Sequence, residues 1–439
     1  MSPGRRHAAR TWGKLPRVWR AVVDRPGCAA LGRQVMLERA NGQGALAGIR
    51  VLDLSHQAAG PWCTSLLGDM GADVVKVEKP GRGDSIRYAD RSGRLPPEVG
   101  GLNFQGLNRN KRGITIDIGQ PAGVALVKRL AATADVLVEN FRPGVMVRHG
   151  LGWPELRTIN PRLVYCSITA FGPRGPLAQK PGMDLILQAT GGLMGHTGEE
   201  GGPPIKSAPP VADITTGIYA AYAVCAALLA RERTGEGQLV EVAMLDAVLS
   251  LFADNAGNVL TEGTRFPKFG SGHPDLVPYQ AFEASDGWFI VACLTNAFYK
   301  RLVTALGRED LLVDPRFATN PSRVAHREAV VDALAAIFRT QPVAHWIALL
   351  EQHDIPTCRV HRLEEILAHP QVDANGLVVE RTDARRGRLR VLGPPVKLSA
   401  TPTRFDRPAP ALGEHTDEVL RAAGLTDPEI AALREARVI

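Results

Sequence analysis

The sequence predicts an α/β protein, with a doubly wound, Rossmann-like large domain and a smaller α+β domain. Three observations carry this. Short β-branched runs alternate with helix-like runs from Leu46 to Gly172, the signature of a parallel sheet with helices on both faces. After about residue 260 the texture changes to hairpins and helices. The chain has 439 residues, 45% hydrophobic and 22% charged, enough for two or three domains around a large core.

The elements follow in order. "IRVLDLS" (49–55) is a short apolar strand. "GPWCTSLLGDMG" (60–71) is a helix, with Pro61 suited to its first turn and Gly71 to its end. "ADVVKVE" (72–78) and "RGITIDI" (112–118) are strands, "PAGVALVKRLAATA" (121–134) has helical spacing, and "DVLVENF" (135–141) is a strand. "PELRTIN" (154–160) is a short helix and "RLVYCSITAFG" (162–172) another strand. Further on, "YQAFEASDGWFIVAC" (279–293) reads as a hairpin turning at Ser285-Asp286-Gly287. Helical runs follow near 295–306, 322–339 and 342–353, with a second hairpin over 376–393. Asp427-Pro428 opens the last helix. The expected division is a basic extension (1–45), the first part of the large domain (46–224), a linker with the helical stretch "MLDAVLSLFADNAGNVL" (225–261), the small domain (262–372) and a return to the large one (373–439).

The net charge of +7 is a local feature. Residues 1–40 hold nine Lys and Arg against two acids, so the rest of the chain is neutral and is not a polyanion binder by charge. The extension is Arg-rich and poor in acids, as a targeting peptide is; a true start at Met36 and a disordered tail are the alternatives. Six scattered cysteines without a C-x-x-C pair give neither a disulfide framework nor a zinc site, and fit a reducing interior. The longest apolar run, Ile218 to Ala230, is too short and too rich in alanine to span a bilayer.

The usual catalytic signatures are missing. No G-x-G-x-x-G follows the first strand, no G-x-S-x-G elbow is present, and the histidines lack metal-ligand spacing. His56, His196 and His273 are lone histidines, of the kind that more often hydrogen-bonds than acts as a base. In parallel sheets ligands bind at the carboxyl ends of strands. That rule selects the loops Ser55–Gly60, Glu78–Asp84 and Asn140–Gly144. Small residues there let a ligand approach the backbone. Lys79, Arg82, Arg142 and Arg148 offer cations for phosphates, with Phe141 as an apolar wall. "GPPIKSAPPVADITTGIYAAYAV" (202–224) places Asp213 between a proline-rich loop and a helix of small residues. Read alone, that makes Asp213 a helix N-cap.

Seven segments give a second reading of Asp213. "GIRVLDLSHQAAGP", "LGDMGADVVKVEKPGRGD", "NRNKRGITIDI", "ADVLVENFRPG", "LGWPELRTINPRLVYCSITAFGPRGP", "GMDLILQATGGLM" and "VADITTGIYAAYA" resemble, in order, the class III coenzyme A-transferases, the formyl-CoA and carnitine CoA-transferase (CaiB/BaiF) family. The resemblance covers nearly all of 46–439. It implies ring-shaped subunits interlocked as a homodimer, acyl-CoA and a carboxylic acid as substrates, no permanently bound cofactor and no metal. Neither nucleic acid nor membrane is an implied partner. The location would be cytoplasmic, or the mitochondrial matrix if the extension is a targeting peptide. It also implies Asp213 as a nucleophile forming an anhydride and then an aspartyl-CoA thioester. Coenzyme A contacts would fall at Ala58, Ala59, Lys79, Asn140, Phe141 and Arg148, with Gly270 and Gly272 as lid and oxyanion donors. The helix N-terminus would keep Asp213 ionised. Gly119 stands where some members have a lysine. Racemases of the same superfamily carry a histidine where Met183 stands; Met183 cannot move protons, and Asp184 is left as a structural or orienting carboxylate. A CoA-dependent lyase is the remaining alternative. "LVPYQAF", "RVAHRE" and "HPQVDANGLVVE" resemble the succinyl-CoA–dicarboxylate branch.

Overall fold

The computed structural model describes residues 44–439, so nearly all of the basic extension, with the expectations on targeting and on Met36, lies outside the described residues. The chain divides into two compact units. The larger runs to Gly191, resumes over Ala208–Asp254 and closes with Asn375–Ile439.

The larger unit is built on six strands, β1 (Arg50–Asp53), β2 (Asp73–Glu78), β3 (Lys111–Thr115), β4 (Val136–Glu139), β5 (Val164–Thr169) and β6 (Leu239–Ala243). Their order is β3-β2-β1-β4-β5-β6, and every neighbouring pair is parallel. The chain winds outward from β1 to β3, then returns to the other side of β1. This strand order is the one that binds dinucleotides at its reversal, between β1 and β4. The strand β6 lies in what the sequence presents as a linker; at five residues on a sheet edge, two of them exposed, its pattern is too short to stand out.

The helices of this unit include α1 (Ala59–Asp69), α2 (Pro121–Ala131), α3 (Trp153–Ile159), α4 (Asp184–Thr190) and α5 (Val211–Thr234). One face of the sheet buries Leu52, Val77, Ile114, Leu137 and Tyr165 against α2, α3 and the last two helices, which supply Leu420, Ile430 and Leu433. Each such side chain contributes about 1.5–3 kcal/mol by leaving water. The C-terminal helices thus complete the first core: Asp117 N–H donates to the Val438 carbonyl at 2.8 Å.

Helix α5 departs from the sequence reading. It has 24 residues, contains an 18-residue window of mean hydropathy 1.5, and is therefore long and apolar enough to cross a bilayer. It instead lays its small residues on α1. A Cβ built on Gly217 would stand 2.7 Å from the Ala59 carbonyl oxygen and 2.9 Å from the Trp62 ring, so only glycine lets the two backbones approach this closely. The helix also runs unbroken through the expected boundary at 224/225, because no breaker precedes Gly235, where φ turns to +77°. The expected helix "MLDAVLSLFADNAGNVL" is broken instead: Met244–Leu249, a tight turn at Ser250–Phe252, then Ala256–Glu262. Asp254-Asn255 lies at that break, with side chains that compete for backbone hydrogen bonds.

The smaller unit comprises Gly192–Ser207 and Asn255–Ala374. Strands β7 (Tyr279–Ala284) and β8 (Gly287–Ala292) form a hairpin through Ser285-Asp286, and β9 (Thr357–Arg359) adds to β8, all antiparallel. The Phe338 ring lies 5.0–5.3 Å from Phe282, Phe289 and Trp346 at the centre of this unit's core. The expected 322–339 helix is two, Asn320–Ala325 and Arg327–Phe338, because His326 leaves helical backbone angles.

Candidate active site

The three strand-end loops come together at the sheet reversal. After β1 the chain passes through Ser55, His56 and Gln57 into α1. Gly60 is required there: a Cβ would stand 2.3 Å from the Ser55 Cβ. After β4 comes Asn140, whose Oδ1 accepts the His56 N–H at 2.9 Å and whose Nδ2 donates to the His56 carbonyl at 2.8 Å. The Phe141 ring lies 5.1 Å from the His56 ring. This qualifies the expected role of Asn140, since its side-chain amide is occupied by the neighbouring loop. Phe141 N–H donates to Glu139 Oε2 at 2.8 Å. Burial of Glu139 raises its carboxyl to about 7, against the opposing bonds from Ser167 and Phe141.

Beneath the loops lies a set of buried charges. Lys111 Nζ is 3.0 Å from Asp53 Oδ2, and Lys76 Nζ is 3.1 Å from Asp84 Oδ2, all four side chains essentially sealed from solvent. Asp53 also accepts from Ser55 N–H at 2.9 Å and Thr64 Oγ1 at 2.7 Å. Burial pushes the Asp53 carboxyl up, but Lys111 and Lys76 more than reverse this and hold it well below the usual range. Burial lowers Lys111 to about 8 despite Asp53 beside it. Glu78 pairs through both oxygens with Arg87, at 2.8 and 2.6 Å, and the Arg87 guanidinium lies 3.8 Å over the Phe104 ring. These groups were not singled out from the sequence. The available signal was a charge inside an otherwise apolar strand, as with Lys76 in "ADVVKVE".

Of the other predicted ligand contacts, Ala58 and Ala59 are buried at the start of α1, and Phe141 is half-buried. Lys79 and Arg148 are exposed, as are Arg82 and Arg142. The α1 N-terminus carries no side-chain cap, so its amides face the loop region unanswered by a cap residue.

Asp213 stands in the first turn of α5, not at its N-cap, which is Pro210. The capping is done from α4: Asp184 Oδ1 accepts the Ala212 N–H at 2.9 Å and lies 3.4 Å from the Asp213 N–H. Gln188 Nε2 holds the other Asp184 oxygen at 2.6 Å. The Asp213 side chain is thereby relieved of the capping role the sequence suggests. Burial first, and the Asp184 charge second, raise its carboxyl to about 7. Against the expectation that the helix N-terminus keeps it ionised, burial and the like charge of Asp184 favour the protonated form. Gly217, which touches Ala59, follows Asp213 by four residues, about 6 Å of helix. Asp213 therefore sits roughly one turn from the contact with the loop after β1.

In the smaller unit the Gly270 N–H donates to the Gly198 carbonyl at 3.0 Å and the Gly272 N–H to the Phe269 carbonyl at 2.7 Å. Neither amide is free to receive an oxyanion in this conformation. Gly270 is accounted for locally: its φ is +59°, and a Cβ would collide with the Glu199 carboxylate at 2.1 Å. Met183, at the position of the racemase histidine, is 69% exposed.

The description of CoA-transferase family III matches residues 46–416. A succinate–glutarate CoA-transferase of Agrobacterium fabrum is 39% identical over 393 residues, covering 88% of this chain and 97% of the relative. A succinyl-CoA:glutarate CoA-transferase of Mus musculus is 37% identical, covering 86% of each chain. The crystal structure of a CAIB/BAIF family protein from Brucella suis is 37% identical, with a TM-score of 0.78, covering 87% of this chain and 100% of that one.

Proposed function

This chain belongs to CoA-transferase family III, and from that premise we propose that it moves coenzyme A from succinyl-CoA to a small dicarboxylic acid through covalent chemistry at Asp213. The observation that carries the reading is the release of Asp213 from capping by Asp184, one helical turn from the contact with the loop at the sheet reversal. A carboxylate that caps a helix is held by backbone N–H groups; this one is left free to react.

The reaction runs as an exchange. The ionised Asp213 carboxylate attacks the donor thioester carbonyl, the C–S bond breaks, and CoA leaves as a thiolate, giving an acyl–aspartyl anhydride. The thiolate attacks the aspartyl carbonyl, freeing the donor acid and leaving an aspartyl-CoA thioester. The acceptor carboxylate attacks that thioester, and the same steps in reverse yield the new acyl-CoA. A carboxyl raised to about 7 is a more basic nucleophile than an ordinary aspartate and is still about half ionised at neutral pH. The exposed Lys79, Arg82, Arg142 and Arg148 suit the phosphates of the coenzyme, the uncapped start of α1 suits an anion, and Phe141 suits the adenine. With Met183 in place of a proton-carrying residue, racemisation lacks its second base.

The dicarboxylate assignment rests on the segments "LVPYQAF", "RVAHRE" and "HPQVDANGLVVE" and on the glutarate relatives. We further place the protein as a homodimer. Ile218, Tyr222 and Leu229 are 50–61% exposed along α5, an unusual amount of large apolar side chain for one helix to show to water. The location follows the sequence reading, cytoplasmic or, with a targeting extension, the mitochondrial matrix.

The test is a panel of mono- and dicarboxylic acceptors with succinyl-CoA as donor, read by mass spectrometry of the new thioester. Transfer to C4–C6 diacids is expected; transfer to monocarboxylates alone overturns the substrate class and leaves the transferase. Hydroxylamine added during turnover should modify Asp213, and modification elsewhere overturns the nucleophile.

A further inference from the structure

The loop that follows β1 holds its shape through side chains that come from other loops. Four backbone groups flank His56: the Ser55 carbonyl, the His56 N–H, the His56 carbonyl and the Gln57 N–H. Lys76 Nζ donates to the Ser55 carbonyl at 2.7 Å. Asn140 takes both groups of His56. Asp84 accepts the Gln57 N–H, with its two oxygens at 3.1 and 3.2 Å, and the same carboxylate caps the turn at Ile86 N–H at 3.1 Å. No regular secondary structure satisfies these groups, so side chains must.

Gln57 shows what the bonds achieve. Its φ is +64°, a left-handed conformation that a residue other than glycine adopts only at a cost. That geometry turns the chain from β1 into Ala58 and Ala59 at the head of α1. The carboxylate holding Gln57 is itself held by Lys76, which is fully buried and bonded both to Asp84, in the loop after β2, and to the Ser55 carbonyl at the start of the loop after β1. One buried ion pair thus clamps both sides of the turn and ties it to the loop after β2, where Lys79 and Arg82 stand exposed.

We propose that the Lys76–Asp84 pair is a positioning device for the coenzyme, fixing the backbone on which its nucleotide end is received while taking no part in the chemistry at Asp213. This rests on the reading that the sheet-reversal loops bind coenzyme A. It predicts a split that general loss of stability would not produce: weaker capture of the nucleotide, with the chemical step intact.

The experiment compares succinyl-CoA with succinyl-pantetheine, which carries the thioester but lacks the nucleotide. Two variants are used. Asp84→Asn keeps an acceptor for the Gln57 N–H but removes the charge. The double variant Lys76→Met with Asp84→Asn leaves no buried charge without its partner and so guards against misfolding. Expected in both is a rise in KM for succinyl-CoA of about tenfold or more, with kcat within about twofold and kcat/KM for succinyl-pantetheine nearly unchanged. An unchanged KM for succinyl-CoA, or equal losses with both donors, overturns the proposal. If the unmodified enzyme itself makes no distinction between the two donors, the coenzyme site lies elsewhere, and both readings fall.

Discussion

Two groups of carboxylates in the larger unit live under opposite conditions. Asp53 and Asp84 are sealed in the protein, yet each has a lysine within 3.1 Å and several further hydrogen bonds. Asp213 is only half-buried, but among the described residues no ion pair reaches it, and its nearest charged influence is another carboxylate. Burial pushes the carboxyl up at Asp53 and at Asp213 alike. At Asp53 the lysines overturn that rise, while at Asp213 nothing does. The difference separates structural from reactive charge. A paired, fully bonded carboxylate has no lone pair left for a substrate and serves to fix backbone. An unpaired one is costly to keep, which is the condition of the residue proposed as the nucleophile.

The contrast can be broken at its reactive end first. Asp213→Ala should fold and retain coenzyme binding but lose transfer activity by about a thousandfold or more, as removal of a covalent nucleophile does. Steady-state rates with succinyl-CoA read this directly, and substantial residual turnover would count against Asp213. At the structural end, Lys111→Met leaves Asp53 buried beside a missing partner. Denaturant unfolding should show a loss of about 3–5 kcal/mol, the usual consequence of orphaning one member of a buried pair. A change below about 1 kcal/mol would mean that the pair is no more than a surface-like contact.

A subtler test uses pH. Because the folded Asp213 carboxyl is raised above its unfolded value, it favours the protonated state on folding. Below the unfolded pKa, near 4, it has no effect on stability; as pH rises from about 4 to about 7 the folded protein progressively loses stability relative to the unfolded chain, and the loss levels off above that. Asp213→Asn should therefore stabilise the protein at pH 8, by about 2 kcal/mol once partial exposure is discounted, and leave it unchanged near pH 4. The smallest effect sharpens the account of why the carboxyl is raised. Transfer activity should increase with pH through about 7 as Asp213 ionises. Asp184→Asn keeps an oxygen for the Ala212 N–H but removes the like charge, so the midpoint should fall, by less than about one unit because burial, the larger cause, remains. An unmoved midpoint would assign the whole rise to burial.

The fold class was legible because alternation and helical spacing are local properties of the chain. Strands such as "IRVLDLS" and "DVLVENF" announce themselves within seven residues, and an edge strand of five, β6, does not. Asp213 was legible as a candidate because its flanking prolines and small residues form a recognisable motif. Its protonation was not, since that depends on Asp184, twenty-nine residues away, and on burial by the packed unit.

By itself the sequence determined the parallel α/β architecture and the family, and it proposed the ligand loops and Asp213 as the nucleophile, all from patterns within short windows or from their order along the chain. Only the tertiary structure decided that Asp184 caps α5 in place of Asp213, that Asn140 is engaged with His56, and that Lys76 and Asp84 clamp the turn before α1. The physical reason is that a side chain's role is set by which donors, acceptors and charges stand within about 3 Å of it, the reach of a hydrogen bond. Folding brings those partners together from distant parts of the chain.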